Sequence, residues 1–473
     1  MLVIFATLHY YILMISLGDK KILVMGLGRL GGGVATTKWL LGQGAKVTVT
    51  DLKTRKELAP SIKALGSVAQ KIRFVLGAHN EEDFRTHEYV VVNPGVPKES
   101  PYLKIAKKAG AKVINDAVLF FEFLPKENPI IAITGTRGKT TTTTWIAHLL
   151  KTRWPHVRPA GNTPENPLLK ELDRLKKYPG TPAVVELSSW QLEYLPETKR
   201  APDVAVITNF YPDHMNRYAS MGEYARAKAN IFLHQTKRQV LILNKDNEWT
   251  AWFLKQKPKS RIQYASLSAL PKEAREFGEH NAWNAALALA AVKTILPTSF
   301  LIKTRRALSR LPSIRFRQET ILKKNGLCII NDSASTSPEA AIAALERFSA
   351  VAHAKRLSLF FIAGGTDKGL SYTKLVSAIR AKRTLFGSWG LPFHLYLLEG
   401  SATDKICKNL NMTTRKDLKM TIFKNLRSIV QALRTKRDGI IVFSPGAASF
   451  EKFKNEFDRG EQFNKFVKTY VVV

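Results

Sequence analysis

The chain is short of three things, and each shortage counts against a class of protein. It has two cysteines, Cys328 and Cys407, in 473 residues, and they show no CxxC spacing. That argues against a disulfide framework and a cysteine-ligated zinc site, and for a reducing compartment, the cytoplasm. Acidic residues are scarce: 38 Asp and Glu against 73 Lys and Arg leave a formal net charge of +35. Such a surplus can serve nucleic acid, but the cations are spread along the chain without a basic tail or arginine-rich block. A solvated basic surface that attracts small anions is the simpler reading, so no nucleic-acid partner is expected. Long apolar runs are missing too, apart from residues 1–17. That segment lacks a basic start and a small-residue cleavage site, carries His9, Tyr10 and Tyr11, and is short for a membrane span. It reads as an N-terminal extension, 1–19, and no membrane partner is expected.

What is present is a repeated strand–helix rhythm in a chain too long for one core. From Lys21 the run KILVMGLGRLGGG leads into a helical stretch and then AKVTVTD, ending at Asp51. Strand-like YVVVN follows at 89–93 and a short run at 112–114. A proline-bounded linker, FLPKENP at 123–129, precedes IIAITGTRGKT. Strand-like AVVEL (183–187), VAVIT (204–208) and QVLIL (239–243) then alternate with helical stretches, closing on HNAWNAALALAAVKTIL. Beyond Leu311-Pro312 come runs at 328–331, LFFIA (359–363), HLYLL (394–398) and GIIVF (439–443). The alternation predicts an α/β protein of mostly parallel sheets, with three domains in series at 20–122, 123–312 and 313–473.

Two glycine turns carry chemistry. In TGTRGKTT at 134–141, a strand feeds a glycine loop and then a helix, which places backbone N–H groups and a helix N-terminus around a phosphate. Gly135, Thr136, Gly138 and Thr141 would line that cradle. Lys139 would reach the β and γ phosphates, and the Thr140 hydroxyl would meet Mg²⁺. The spacing is shorter than the full P-loop pattern. The other turn, Gly26-x-Gly28-x-x-Gly31, follows a strand and has Asp51 at the end of the next one. It fits NAD with Asp51 on a ribose, the diphosphate of another nucleotide, or a purely structural bend.

Further segments gain meaning together: Gly161-Asn162, ELSSWQ at 186–191, DHMNR at 213–217, Lys228, HNxxN at 280–284, Arg317, NDS at 331–333, GGTDK at 364–368 and SPGAAS at 444–449. With them the chain resembles the Mur ligases, and within that family the branch that adds D-glutamate, over nearly its whole length. The resemblance implies a UDP-binding Rossmann-like domain, a central P-loop ATPase and a Rossmann-like amino-acid-binding domain. The implied substrates are UDP-N-acetylmuramoyl-L-alanine, D-glutamate and ATP, with two Mg²⁺ ions. A monomer acting in the cytoplasm on peptidoglycan precursors is expected.

Carried over residue by residue, the resemblance makes Lys139, His214 and Lys228 catalytic. It makes Thr140, Glu186, His214 and Lys228 metal ligands, the last as a carbamate. An ammonium about 4 Å from Mg²⁺ would be repelled by roughly 8 kcal/mol at an effective dielectric near 20, whereas a carbamate offers hard oxygen ligands. Asn281, Asn284, Arg317 and Asp332 fall to ATP. Gly28, Asp51, Asn162, Ser188, Thr336, Lys368 and Ser449 fall to the other substrates. From the residues alone, Lys228 would be an exposed helical lysine and Lys139 a phosphate-binding lysine on a surface loop, and a structural ion pair is the alternative for Arg317 and Asp332. The chain departs from the family at Phe316, where a histidine is usual, at Ala334 for a lysine, at Glu456 for an aromatic, and at Leu30 and Leu52 for hydroxyls. The competing readings are another ligase of the superfamily, such as the Mur enzyme adding L-alanine or a diamino acid or a folylpolyglutamate synthetase, and a basic nucleotide-dependent nucleic-acid binder.

Overall fold

The computed structural model describes residues 17–29, 31–161, 166–215, 217–275, 278–410 and 419–471. Most of the N-terminal extension, Leu30 and Asn162 lie outside them. Among the described residues no helix is long and apolar enough to cross a membrane.

Contacts divide the chain into two units, the second opening at Pro312. The first unit holds two sheets. In one, strands β1 (Lys21–Met25), β2 (Lys46–Asp51), β3 (Arg73–Leu76), β4 (Tyr89–Val92) and β5 (Lys112–Asn115) are arranged 3-2-1-4-5, all parallel. That is the doubly wound order, whose crevice lies beyond the carboxyl ends of the strands where the winding reverses. In the other, β6 (Ile130–Thr134), β7 (Pro159–Gly161), β8 (Ala183–Glu186), β9 (Val204–Ile207), β10 (Val240–Leu243) and β11 (Arg261–Tyr264) run in the order 11-10-9-6-8-7. These pairs are parallel as well. Every residue of β6 is buried, as expected for a strand covered on both faces. The helices Lys139–Leu150 and Glu279–Lys293 pack together over this sheet. The latter owes its close approach to its run of alanines, from Ala285 to Ala291, most of them fully buried.

The second unit carries β12 (Glu319–Lys324), β13 (Leu327–Asn331), β14 (Leu359–Gly364), β15 (Phe393–Leu398), β16 (Lys419–Phe423) and β17 (Gly439–Phe443) in the order 12-13-17-14-15-16. Only the β12–β13 pair is antiparallel. One face buries Phe361, Leu395 and Leu345, the other Phe360, Phe443 and Phe463, so helices cover both sides.

Candidate active site

The TGTRGKTT loop leaves β6, whose neighbours are β9 and β8, so the segments following those strands flank it at the carboxyl edge of the sheet. Glycine is required twice. A Cβ on Gly135 (φ 147°) would lie 1.9 Å from Thr208 Oγ1, and one on Gly138 (φ 79°) 2.2 Å from Asn284 Oδ1. The segment after β9 pins the loop: Arg137 N donates to Asn209 Oδ1 at 2.8 Å, Thr208 Oγ1 to Arg137 O at 2.6 Å, and Thr136 N to Asn209 O at 3.0 Å. Behind the loop, Thr142 Oγ1 donates to Asn284 Oδ1 at 3.3 Å and Asn284 Nδ2 to Asn281 Oδ1 at 3.1 Å. The two asparagines are thereby joined to the loop's helix. The helix itself starts at Lys139 with no side-chain cap, so its first N–H groups face the loop.

Both key lysines differ from their solvated readings. Lys139 is half-buried and folds back, its Nζ donating to Gly135 O (3.1 Å) and Thr136 O (3.2 Å). Lys228 is 1% exposed on the helix Met221–Ala229. Its Nζ donates to the same Gly135 carbonyl at 2.9 Å and lies 4.7 Å from the Tyr224 ring centroid. Burial, then the neighbouring Lys139 and Arg137, hold its amine well below the ordinary lysine range against the opposing pull of Asp213.

Glu186 ends β8, is 6% exposed, and its Oε2 has no hydrogen-bond partner. Gly161, at the end of β7, leaves room for it: a Cβ there would meet Glu186 Cγ at 2.5 Å. A buried unpaired carboxylate oxygen is costly unless something is to be bound there. His214 sits in the left-handed region (φ 56°), its N–H donating to Asp213 Oδ1 at 3.0 Å. Its ring lies 5.3 Å from Trp190, and Asp213 pairs with Arg137 at 3.4 Å. Ser188 caps the short helix Ser189–Leu192 through a reciprocal pair with Gln191.

In the first sheet, Gly26, Gly28 and Gly31 all take positive φ, and a Cβ on Gly33 would lie 2.3 Å from Leu27 O. Asp51 closes this turn: its Oδ2 accepts from Gly28 N (3.1 Å) and its Oδ1 from Lys53 N (2.9 Å). Leu52 beside it is exposed.

The second unit gathers three segments at the ends of β13, β14 and β17. Gly446 N donates to Ser335 O, and Thr366 and Ala448 exchange backbone hydrogen bonds, which brings Thr336, Lys368 and Ser449 onto one edge. Ser449 Oγ is buried without a partner. Asp332 accepts from Ser444 Oγ (2.7 Å) and Gln318 N (3.0 Å). Burial pushes its carboxyl up to about 7 despite those bonds and Arg317. Phe316 is buried against Gly460, so the aromatic fills a packed pocket. Sequence reasoning missed Arg459, which is fully buried and donates to Ser333 O (2.8 Å), Ala447 O (3.0 Å) and Ala448 O (2.9 Å). It quoted Arg217 within DHMNR but gave it no role, and it missed its partner Glu193 at 2.9 Å. Only unexplained charges in apolar surroundings could have flagged them.

A glycine phosphate loop flanked by a buried amine and a buried acid, beside a doubly wound sheet with a second glycine turn, fits an ATP-dependent ligase. The Mur ligase middle domain family matches residues 133–276, and the Mur ligase MurD-like N-terminal domain family matches residues 20–115. The chain is 35% identical to UDP-N-acetylmuramoylalanine–D-glutamate ligase of Roseiflexus sp. over 96% of this chain and 100% of that one. It is 36% identical to the enzyme of the same name from Borreliella burgdorferi, over 95% and 98%. Among solved structures, UDP-N-acetylmuramate-alanine ligase from Thermotoga maritima superposes with a TM-score of 0.58 at 17% identity, covering 95% of this chain and 100% of that one. MurF from Acinetobacter baumannii gives 0.55 at 14%, covering 96% and 93%. The chain belongs to the Mur ligase family, and the two curated relatives just named are D-glutamate-adding members.

Proposed function

We propose that the chain joins UDP-N-acetylmuramoyl-L-alanine to D-glutamate at the expense of ATP, as a cytoplasmic monomer in peptidoglycan precursor synthesis. The observation that carries this is the convergence of Lys139 and Lys228 on the Gly135 carbonyl, in a chain over 30% identical to such ligases end to end. The substrate carboxylate attacks the γ-phosphorus of ATP, ADP leaves, and an acyl phosphate forms. The D-glutamate amine then adds to the acyl carbon, and the tetrahedral adduct expels phosphate. Lys139 and the N–H groups of the loop hold the phosphoryl oxygens while charge builds on them. Asn281 and Asn284 position the adenosine side, and the resemblance also assigns Arg317 and Asp332 to ATP. Thr336, Lys368 and Ser449 grip the glutamate carboxylates, and Gly28, Asp51, Asn162 and Ser188 serve the uridine substrate.

The unpartnered Glu186 oxygen suits a hard cation that completes its shell with phosphate oxygens and water. Thr140, Glu186, His214 and Lys228 as a carbamate would hold Mg²⁺, which when bound neutralises phosphoryl charge. The test is ADP release with UDP-N-acetylmuramoyl-L-alanine and a panel of amino acids. D-glutamate is expected to be turned over and L-glutamate and L-lysine refused, because a missing or misplaced carboxylate leaves a donor such as the buried Ser449 hydroxyl unpaired, at about 1–3 kcal/mol. Equal turnover with L-lysine would move the chain to another branch of the family.

A further inference from the structure

Arg217 is placed where the two sheets of the first unit meet. Its Nη2 pairs with Glu193 Oε2 at 2.9 Å, with side chains only 12% and 8% exposed. Its Nη1 donates to Val96 O at 3.3 Å, and its guanidinium lies 4.9 Å above the Trp190 ring. The Trp190 ring in turn lies 5.3 Å from His214. The backbone repeats the link: Arg217 N and Tyr218 N both donate to His214 O, at 2.9 and 3.1 Å. Tyr218 Oη donates to Glu193 Oε1 at 2.6 Å, which fixes the acid from its other side.

Val96 belongs to the loop after β4, which packs on the glycine turn. The space a Cβ would need on Gly26 is filled by Asn93 Cβ (3.0 Å) and Val96 Cγ2 (3.4 Å), and Asn93 Nδ2 stands 3.5 Å from the same point on Gly28. One side chain therefore touches both the wall of the first glycine turn and the ring that packs on His214. Only arginine can do this at once, since its planar fork divides between a carboxylate and a carbonyl while its face stacks on an indole.

We infer that Arg217 is a positioning residue that fixes the uridine-side loop 93–96 relative to His214, so that the bound uridine substrate presents its carboxylate to the phosphate loop. The inference rests on the functional reading above. A cluster that served the fold alone would have no reason to span the two substrate cradles.

The test uses the full chain with Arg217→Lys and Arg217→Gln. UDP and ATP binding are measured by calorimetry, steady-state kinetics are taken for each substrate, and the melting temperature is recorded. Lysine keeps the Glu193 pair but cannot also hold Val96 O and cover Trp190. Arg217→Lys is therefore expected to melt near the wild type, with KM for the uridine substrate raised about tenfold, kcat lowered by a similar factor, and ATP binding unchanged. Arg217→Gln should show the same split more strongly. Unchanged uridine-side parameters in Arg217→Lys, or parallel loss of UDP and ATP affinity in step with melting temperature, would overturn the inference alone. Failure of the wild-type chain to bind UDP would overturn the functional reading with it.

Discussion

The first unit contains two strand-to-helix turns that look alike in sequence and are finished differently. At Gly28 the turn is closed by an acid, since both Asp51 oxygens accept backbone N–H groups. At residues 135–138 the loop is gripped from outside by Thr208 and Asn209, and two amines are added on the Gly135 carbonyl. Glycine geometry shapes the turn in each case, but only the second has lysine amines brought onto it. Under the proposed function the first would hold a diphosphate still. The contrast teaches that glycine spacing reports where a phosphate fits, while the neighbouring charges report whether bonds change there.

Removing the cation should break the contrast most sharply. Lys139→Ala is expected to lower ADP formation by about a thousandfold, the range for losing a pre-organised charge contact in a transition state. UDP binding should stay at the wild-type level, and stability should fall by no more than about 1 kcal/mol, since two exchangeable hydrogen bonds are lost. Loss of UDP binding in this variant would show that the two cradles are not separate.

Lys228 comes next. Under the proposed carbamylation its buried amine, held well below the ordinary lysine range, would add to CO₂, forming an N–C bond and releasing a proton. The carbamate would set an oxygen anion beside the phosphate loop. Lys228→Ala should reduce turnover by about a hundredfold and be partly restored by formate or acetate, which can occupy the vacated oxygen position. Wild-type turnover without additive would reduce Lys228 to a packing residue. A smaller effect is expected at the acid-closed turn: Asp51→Ala strands the Gly28 and Lys53 amides. It should raise KM for the uridine substrate about tenfold, a loss of about one hydrogen-bonded charge, with ATP parameters unmoved.

How much of this was legible follows the same physics. Interior strands such as Ile130–Thr134, Leu359–Gly364 and Gly439–Phe443 declare themselves as unbroken apolar runs, because helices cover both faces. The strands left unread, Arg73–Leu76, Pro159–Gly161, Arg261–Tyr264, Glu319–Lys324 and Lys419–Phe423, are all sheet edges. Four of them carry a cation or an acid at an exposed or half-exposed position. An edge pairs on one side only and tolerates polar residues, so its pattern fades into loop. At the site, the phosphate loop could be read locally. The burial of Lys228 could not, since it depends on the distant Gly135 carbonyl and Tyr224 ring, nor could the bridging by Arg217 and Arg459.

The last difference between the regions lies in their response to acid. In the first sheet, His87 is 8% exposed, with Nδ1 2.6 Å from Asp83 O and Nε2 3.0 Å from Thr48 Oγ1. Burial, then Arg73 and Lys21, push its pKa down from 6.5 to about 4. Between those values the unfolded chain binds a proton that the folded chain refuses. Stability is therefore complete above about pH 6.5 and falls as pH drops toward 4. Asp116, pushed up to about 6 by burial, acts with the opposite sign: its folded form takes the proton first, so acid favours the native state until the unfolded acid titrates near 3.8 as well. The two partly cancel in the wild-type curve. The informative quantity is the difference between wild type and His87→Gln in urea midpoint at pH 7 and pH 5. The imidazole's share, discounted for screening, should be about 1 kcal/mol between those pH values. The variant, weaker at pH 7 for its lost contacts, should lose less than the wild type on acidification. Parallel losses in the two proteins would assign the acid response elsewhere and leave His87 a packing residue between β2 and the helix Glu81–Thr86.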